Sequence, residues 1–212
     1  MSKQGCRSTF TISDAAHKEC RNFTRDNHEH GGNFAVNMQG KTMKNGKVVK
    51  NGEYNSIVLE RGLIDWHSHP AVCTPTSCAL GLPSANDLVN IILGCAHGSV
   101  AHLVYAKEGT YLIQLQPKTD AILKEDKEKM VKFTKLVRQY SDWLSSEFDT
   151  QKWTYKEYVH NWLVVTNNIG LKTRLFLGNE KPTIEMGYKC ELCNCPTPIY
   201  KKIHVPPKYG KL

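Results

Sequence analysis

A β-prone run, Gly62-Leu-Ile-Asp-Trp-His-Ser-His69, is cut off by Pro70, and a helix start follows at Pro83-Ser84. This strand, loop and helix constrain the fold more than any other feature, because they commit the middle of the chain to an α/β layout. Alternate side chains of a strand share a face, so His67 and His69 point the same way. Ser84 and Asp87 have the spacing of a capping box, and a capped helix start also sets where the Asp87 carboxylate projects. Two imidazoles and one carboxylate make a three-donor set for zinc, with a fourth position left for water. Taken separately, His67-Ser-His69 is an ordinary strand end and Ser84-Ala-Asn-Asp87 an ordinary cap. Their occurrence together, strand before and helix after, is what points to a metal.

The flanking sequence fits the same layout. Ser8-Thr-Phe-Thr-Ile12 reads as a strand, and Ser13 caps a helix from Asp14 to about Arg25. Asp26-Asn-His-Glu-His-Gly-Gly32 is a polar break, Asn33–Asn37 a short strand, and Gly40–Gly52 a glycine-punctuated basic stretch. Ser56–Leu59 is a further strand, and Ala101–Ala106 and Thr110–Leu115 form a hairpin about Lys107-Glu-Gly109. From Asp120 to about Phe148, Met130, Phe133, Leu136, Val137, Tyr140, Trp143, Leu144 and Phe148 make one apolar stripe, predicting a single long helix. A helix over 154–162, a strand over 171–177 and a proline- and lysine-rich tail complete the chain. The expected organisation is a core over 8–116, a helical and mixed extension packed on it over 117–180, and a basic tail over 181–212.

Composition narrows the function. No stretch approaches the ~18 consecutive apolar residues of a membrane span. The start, Met1-Ser-Lys-Gln-Gly-Cys6, has no apolar run after its basic residue, so an intracellular protein, cytoplasmic or nuclear, is expected. The eight cysteines then read as thiols or metal ligands. The net charge of +8 comes from residues scattered through 41–50, 118–138 and 200–211. Without an arginine-rich run or interleaved aromatics it reads as a solvated basic surface, and nucleic acid is not favoured.

His67-Ser-His-Pro70 with Ser84-Ala-Asn-Asp87 resembles the signature of the JAMM (JAB1/MPN+) zinc metallopeptidases, which include deubiquitinating isopeptidases and RadC-like proteins. The resemblance covers residues 8–116. It implies a mixed central sheet flanked by helices, with a helical carboxy-terminal extension, and zinc held by His67, His69 and Asp87. It further implies that Ser84 supports the transition state and that an upstream Glu is the general base. The order of strand, helix, Glu, small residues and strand selects Glu29, with Glu53 and Glu60 as rivals. The implied reaction is hydrolysis of an isopeptide or peptide bond, with ubiquitin or a ubiquitin-like conjugate as substrate. The fourteen residues Pro70 to Pro83 exceed the family's usual segment, lie beside the site, and carry Cys73 and Cys78 as further donors. Two other classes stand beside this one: a non-catalytic scaffold of the same fold, and a RadC-like nucleic-acid-associated protein. Near the end, Cys190, Cys193 and Cys195 with His204 offer a second, structural zinc site.

Overall fold

The structure is a computed structural model describing residues 7–53, 57, 59, 62–71, 81–151 and 153–187. The elements run β1 (Arg7–Ile12), α1 (Asp14–Phe23), β2 (His30–Asn37), β3 (Thr42–Asn51), β4 (Ile64–Ser68), α2 (Ala85–Cys95) and β5 (Ala101–Ala106). They continue through β6 (Gly109–Leu115), α3 (Pro117–Glu125), α4 (Lys127–Gln151), α5 (Tyr155–Asn168), β7 (Leu171–Leu177) and β8 (Thr183–Gly187). All eight strands join one mixed sheet, ordered β7-β6-β5-β4-β2-β3-β1-β8. The pairs β1–β3 and β4–β5 are parallel and the others antiparallel. Although β7 and β8 end the order on opposite sides, Lys172 Nζ of β7 lies 2.7 Å from Glu185 Oε2 of β8. Gln114 Nε2 of β6 also donates to the Glu185 carbonyl at 3.1 Å. The sheet is therefore curled.

Each face of the sheet buries its own cluster. Phe10, Ile12, Phe34, Met43, Ile64, Trp66 and Leu103 line the inside of the curl, where α1 adds Ala16 and Cys20. On the other face Val104, Tyr111 and Ile113 pack against Leu88 and Ile92 of α2, Phe133 and Val137 of α4, and Trp162 of α5. Because β5 and β6 are covered on both faces, every residue of both is buried. That is why they read as continuous apolar runs rather than alternating ones. Among the described residues five helices flank the sheet, and no helix is long and apolar enough to cross a membrane.

Four expectations change. The single helix from Asp120 is two, α3 and α4, because Asp126 is extended (φ −135°, ψ 101°) and its carboxylate accepts the Lys129 N–H at 3.0 Å, starting a new helix. The apolar stripe begins only at Met130, beyond this break, so its periodicity does not mark the break. The basic stretch over 40–52 holds β3, whose strand form comes from partners on both sides, β2 and β1. The glycine-rich break ends earlier than expected, since β2 already begins at His30. The segment from 181, expected as tail, supplies β8, with Ile184 and Met186 buried against the inner cluster. The sheet thus runs across the boundaries read at 116 and 181. The strand expected over 56–59 falls largely outside the described residues.

Candidate metal centre

The site forms at the carboxy-terminal end of β4. Trp66 points into the inner cluster, so its neighbour His67 projects to the opposite face, toward α2. The His69 N–H donates to the Tyr105 carbonyl at 2.8 Å, which carries the run alongside β5 for one more residue before Pro70. The two imidazoles meet with Nε2 atoms 2.9 Å apart.

Asp87 reaches them from the first turn of α2. The capping box forms: Ser84 Oγ accepts the Asp87 N–H at 3.3 Å, and Asp87 Oδ2 accepts the Ser84 N–H at 2.6 Å. The Ser84 hydroxyl also donates to Oδ2 at 2.9 Å. With Oδ2 so engaged, Oδ1 is left 3.3 Å from His67 Nε2, while Oδ2 stands 3.5 Å from His69 Nε2. A tetrahedral ion with bonds of about 2.0–2.1 Å has ligand atoms about 3.4 Å apart, a spacing that the His67 Nε2 to Asp87 Oδ1 separation matches. The imidazoles and the carboxylate are of the right chemistry to hold a metal ion.

Glu29 arrives from a distant part of the sequence. In the antiparallel pairing of β2 with β4, Gly31 lies opposite His67. Two residues further along, the same register sets Glu29 against His69, and Glu29 Oε1 is 4.0 Å from His69 Nε2. The backbone of Glu29 is held on its other side, where its N–H donates to the Glu53 carbonyl and its carbonyl accepts the Gly52 N–H. Gly31 is required for the close approach: a Cβ there would lie 2.8 Å from the Trp66 carbonyl oxygen and 3.1 Å from His67 Cβ. The neighbouring His30 points the other way, stacking on Phe23 and pairing with Asp26 at 2.9 Å. Of the rivals, Glu53 is exposed and Glu60 lies outside the described residues.

One residue of the cluster was given no chemistry by the sequence. His102 of β5 is buried, and one donor atom each from His67, Asp87 and His102 lies within 4.8 Å of the others. These three buried side chains could hold a metal ion. The His102 ring sits 4.9 Å from that of His67, and its Nε2 has no hydrogen-bond partner among the described residues. The one signal was a histidine inside the otherwise apolar Ala101-His-Leu-Val-Tyr-Ala106 run. Cys73, Cys78, Cys190, Cys193, Cys195 and His204 lie outside the described residues.

Burial sets the protonation states. It holds His67 neutral, with its pKa lowered to about 3, and His102 likewise at about 4, so both keep a nitrogen lone pair. Burial raises the Glu29 carboxyl to about 7, the nearby Asp87 charge adding to the effect and His69 opposing it. Burial works against the charged forms of Asp87 and His69 too. Attraction to His67 and the hydrogen bond and attraction to His69 overcome it for Asp87, whose carboxyl falls well below its ordinary range, and the Asp87 carboxylate raises the His69 imidazole.

These shifts give the metal-free protein a pH-dependent stability. Between about pH 6.5 and 4.5 the unfolded chain protonates His67 and His102 and the native state does not, which favours unfolding as pH falls. Glu29 opposes this, being protonated in the native state and ionised in the unfolded one over that window. His69 is protonated in both. His17, also lowered by burial, acts in the same direction as His67 and His102, so these histidines outweigh Glu29 and stability is lost as pH falls. Urea unfolding of chelator-treated protein should therefore show lower stability at pH 4.5 than at 6.5, by on the order of a few kcal/mol. Equal or higher stability at the lower pH would mean that the two buried imidazoles are not neutral.

No family model, no curated protein and no solved structure matches this chain.

Proposed function

We propose that this chain is a zinc-dependent hydrolase of amide-type bonds, a JAMM-like isopeptidase or peptidase built on a JAB1/MPN-type core. The observation that carries the reading is the meeting of Glu29 with His67, His69 and Asp87. A buried carboxylate, carried just ahead of β2, stands 4.0 Å from the His69 imidazole. Its cost of burial is explained by a proton-transfer role.

Each residue then has a task. The lone pairs of His67 and His69 and the Asp87 carboxylate would hold the ion. When bound, zinc lowers the pKa of a coordinated water to about 7 and polarises a carbonyl. Glu29, whose pKa burial raises above the ordinary carboxyl range, would accept a proton and return it to the leaving amine. The Ser84 hydroxyl donates to Asp87 Oδ2 in the metal-free chain and would have to turn from it to supply the donor for a developing oxyanion. The resemblance names ubiquitin or a ubiquitin-like conjugate as the substrate.

The test is cleavage of isopeptide-linked and linear ubiquitin-type substrates by zinc-loaded protein, repeated after chelation and after return of zinc. Cleavage that chelation abolishes and zinc restores is the expected result. Cleavage indifferent to chelation would remove the metal from the reaction.

A further inference from the structure

We propose that Glu108 is a positioning residue for the metal ligand His69, and that it links this ligand to helix α5 through Tyr111 and Tyr155. This rests on the metal-centre reading above.

A metal-binding histidine is aimed by whatever its second ring nitrogen bonds to, and that partner fixes both tautomer and ring orientation. For His69 the partner is the Gly81 carbonyl, 2.9 Å from Nδ1, which leaves Nε2 facing His67 and Asp87. Gly81 must itself be held. Its N–H points at Glu108 Oε2, at 3.5 Å, and it lies against β5 so closely that a Cβ would collide with Ala106 and sit 3.1 Å from His69 Cβ. The other Glu108 oxygen accepts from the Tyr111 hydroxyl at 2.8 Å, and that hydroxyl lies 2.8 Å from the Tyr155 hydroxyl. With Tyr111 donating to Glu108, Tyr155 donates to Tyr111. The chain of contacts runs Tyr155, Tyr111, Glu108, Gly81, His69.

Both ends of the carboxylate's surroundings are anchored. The turn that presents Glu108 is clamped by Arg21 of α1, whose guanidinium donates to the carbonyls of Ala106, Lys107 and Gly109. Tyr155 is the first residue of α5, and its place is set by a second capping box, Thr154 with Glu157. Core packing at Tyr111 explains its ring, buried against Trp162, but does not call for a carboxylate at 108 that reaches back to Gly81. An acceptor shared between Gly81 and Tyr111 does. The extension beyond residue 117 thereby acts on the metal centre from a distance.

The experiment uses the full chain, with Zn2+ affinity measured by chelator competition and the visible spectrum of the Co2+ form recorded. Glu108→Ala should weaken binding by about 10- to 100-fold, the range for outer-sphere partners of a ligand, and alter the Co2+ bands. Glu108→Gln should restore affinity to within about threefold, since its oxygen can accept from Gly81 while its amide donates to Tyr111. Tyr155→Phe should weaken binding in the wild type and have no added effect with Glu108→Ala, as members of one network are not additive. Wild-type affinity and spectrum in folded Glu108→Ala would overturn the proposal. If that variant does not fold, an unchanged affinity in Tyr155→Phe overturns it instead. Asp87→Ala in the same titration separates the two readings. If, with Cys190, Cys193 and Cys195 carried as Ser throughout, it still binds zinc with wild-type affinity, the metal centre is wrong. If it does not bind while Glu108→Ala is normal, only the link through Glu108 falls.

Discussion

Glu29→Gln is expected to keep its zinc and to lose about 10^2- to 10^4-fold in turnover, the contribution of a positioned general base. Glutamine has nearly the same shape and can still hydrogen-bond, but it cannot take up a proton. Glu29 stands 4.0 Å from His69 Nε2, outside the triangle formed by the His67, His69 and Asp87 donor atoms, so its loss leaves the ligand set complete. The pH profile supplies the second readout. A base works ionised, so the rate should fall as pH drops through the Glu29 pKa. Burial puts that value at about 7, and a neighbouring zinc cation would bring it lower, so the falling limb belongs below neutrality. Turnover and pH profile unchanged in Glu29→Gln would assign proton transfer to another group, with Glu60 the first to test.

The parts of this site that could be read in the sequence are those governed by local rules. Strand alternation pairs His67 with His69, Pro70 ends the strand, and the Ser84 and Asp87 spacing predicts the cap that the structure contains. Glu29 was reachable only through the order of elements, and its approach to His69 depends on the β2–β4 register, a long-range property. His102 and Glu108 were out of reach for the same reason. His102 matters because β5 lies parallel to β4, with Asp65 beside it in register. Glu108 is an unremarkable turn residue until Gly81 is brought to it by the chain's return past His69.

The fold shows the same division. The helices α1, α2 and α5 announce themselves with Ser13, Ser84 and Thr154 at their starts, and the β5–β6 hairpin with its two apolar runs. Strand β3 carries Lys44, Asn45 and Gly46 in place of a β-prone pattern, and only pairing on both edges makes it a strand. The break at Asp126 is written in one capping side chain, and the apolar stripe, which starts at Met130, says nothing of where its helix begins.

Asp87→Ala should abolish zinc retention, because it removes the carboxylate in contact with His67 and His69 and leaves the imidazoles of His67, His69 and His102 without that anionic partner. The same change deletes half of the capping box, at a cost of about 1 kcal/mol, which a core of this size tolerates. Loss of metal can therefore be told from loss of fold by circular dichroism on the same sample. Zinc per chain by elemental analysis is the most direct measurement, made on protein carrying Cys190, Cys193 and Cys195 as Ser so that the tail adds nothing. About one zinc per chain, falling to about zero in folded Asp87→Ala, is the expected result. Folded protein with no zinc, or with zinc that survives Asp87→Ala, would contradict a metal centre built on His67, His69 and Asp87.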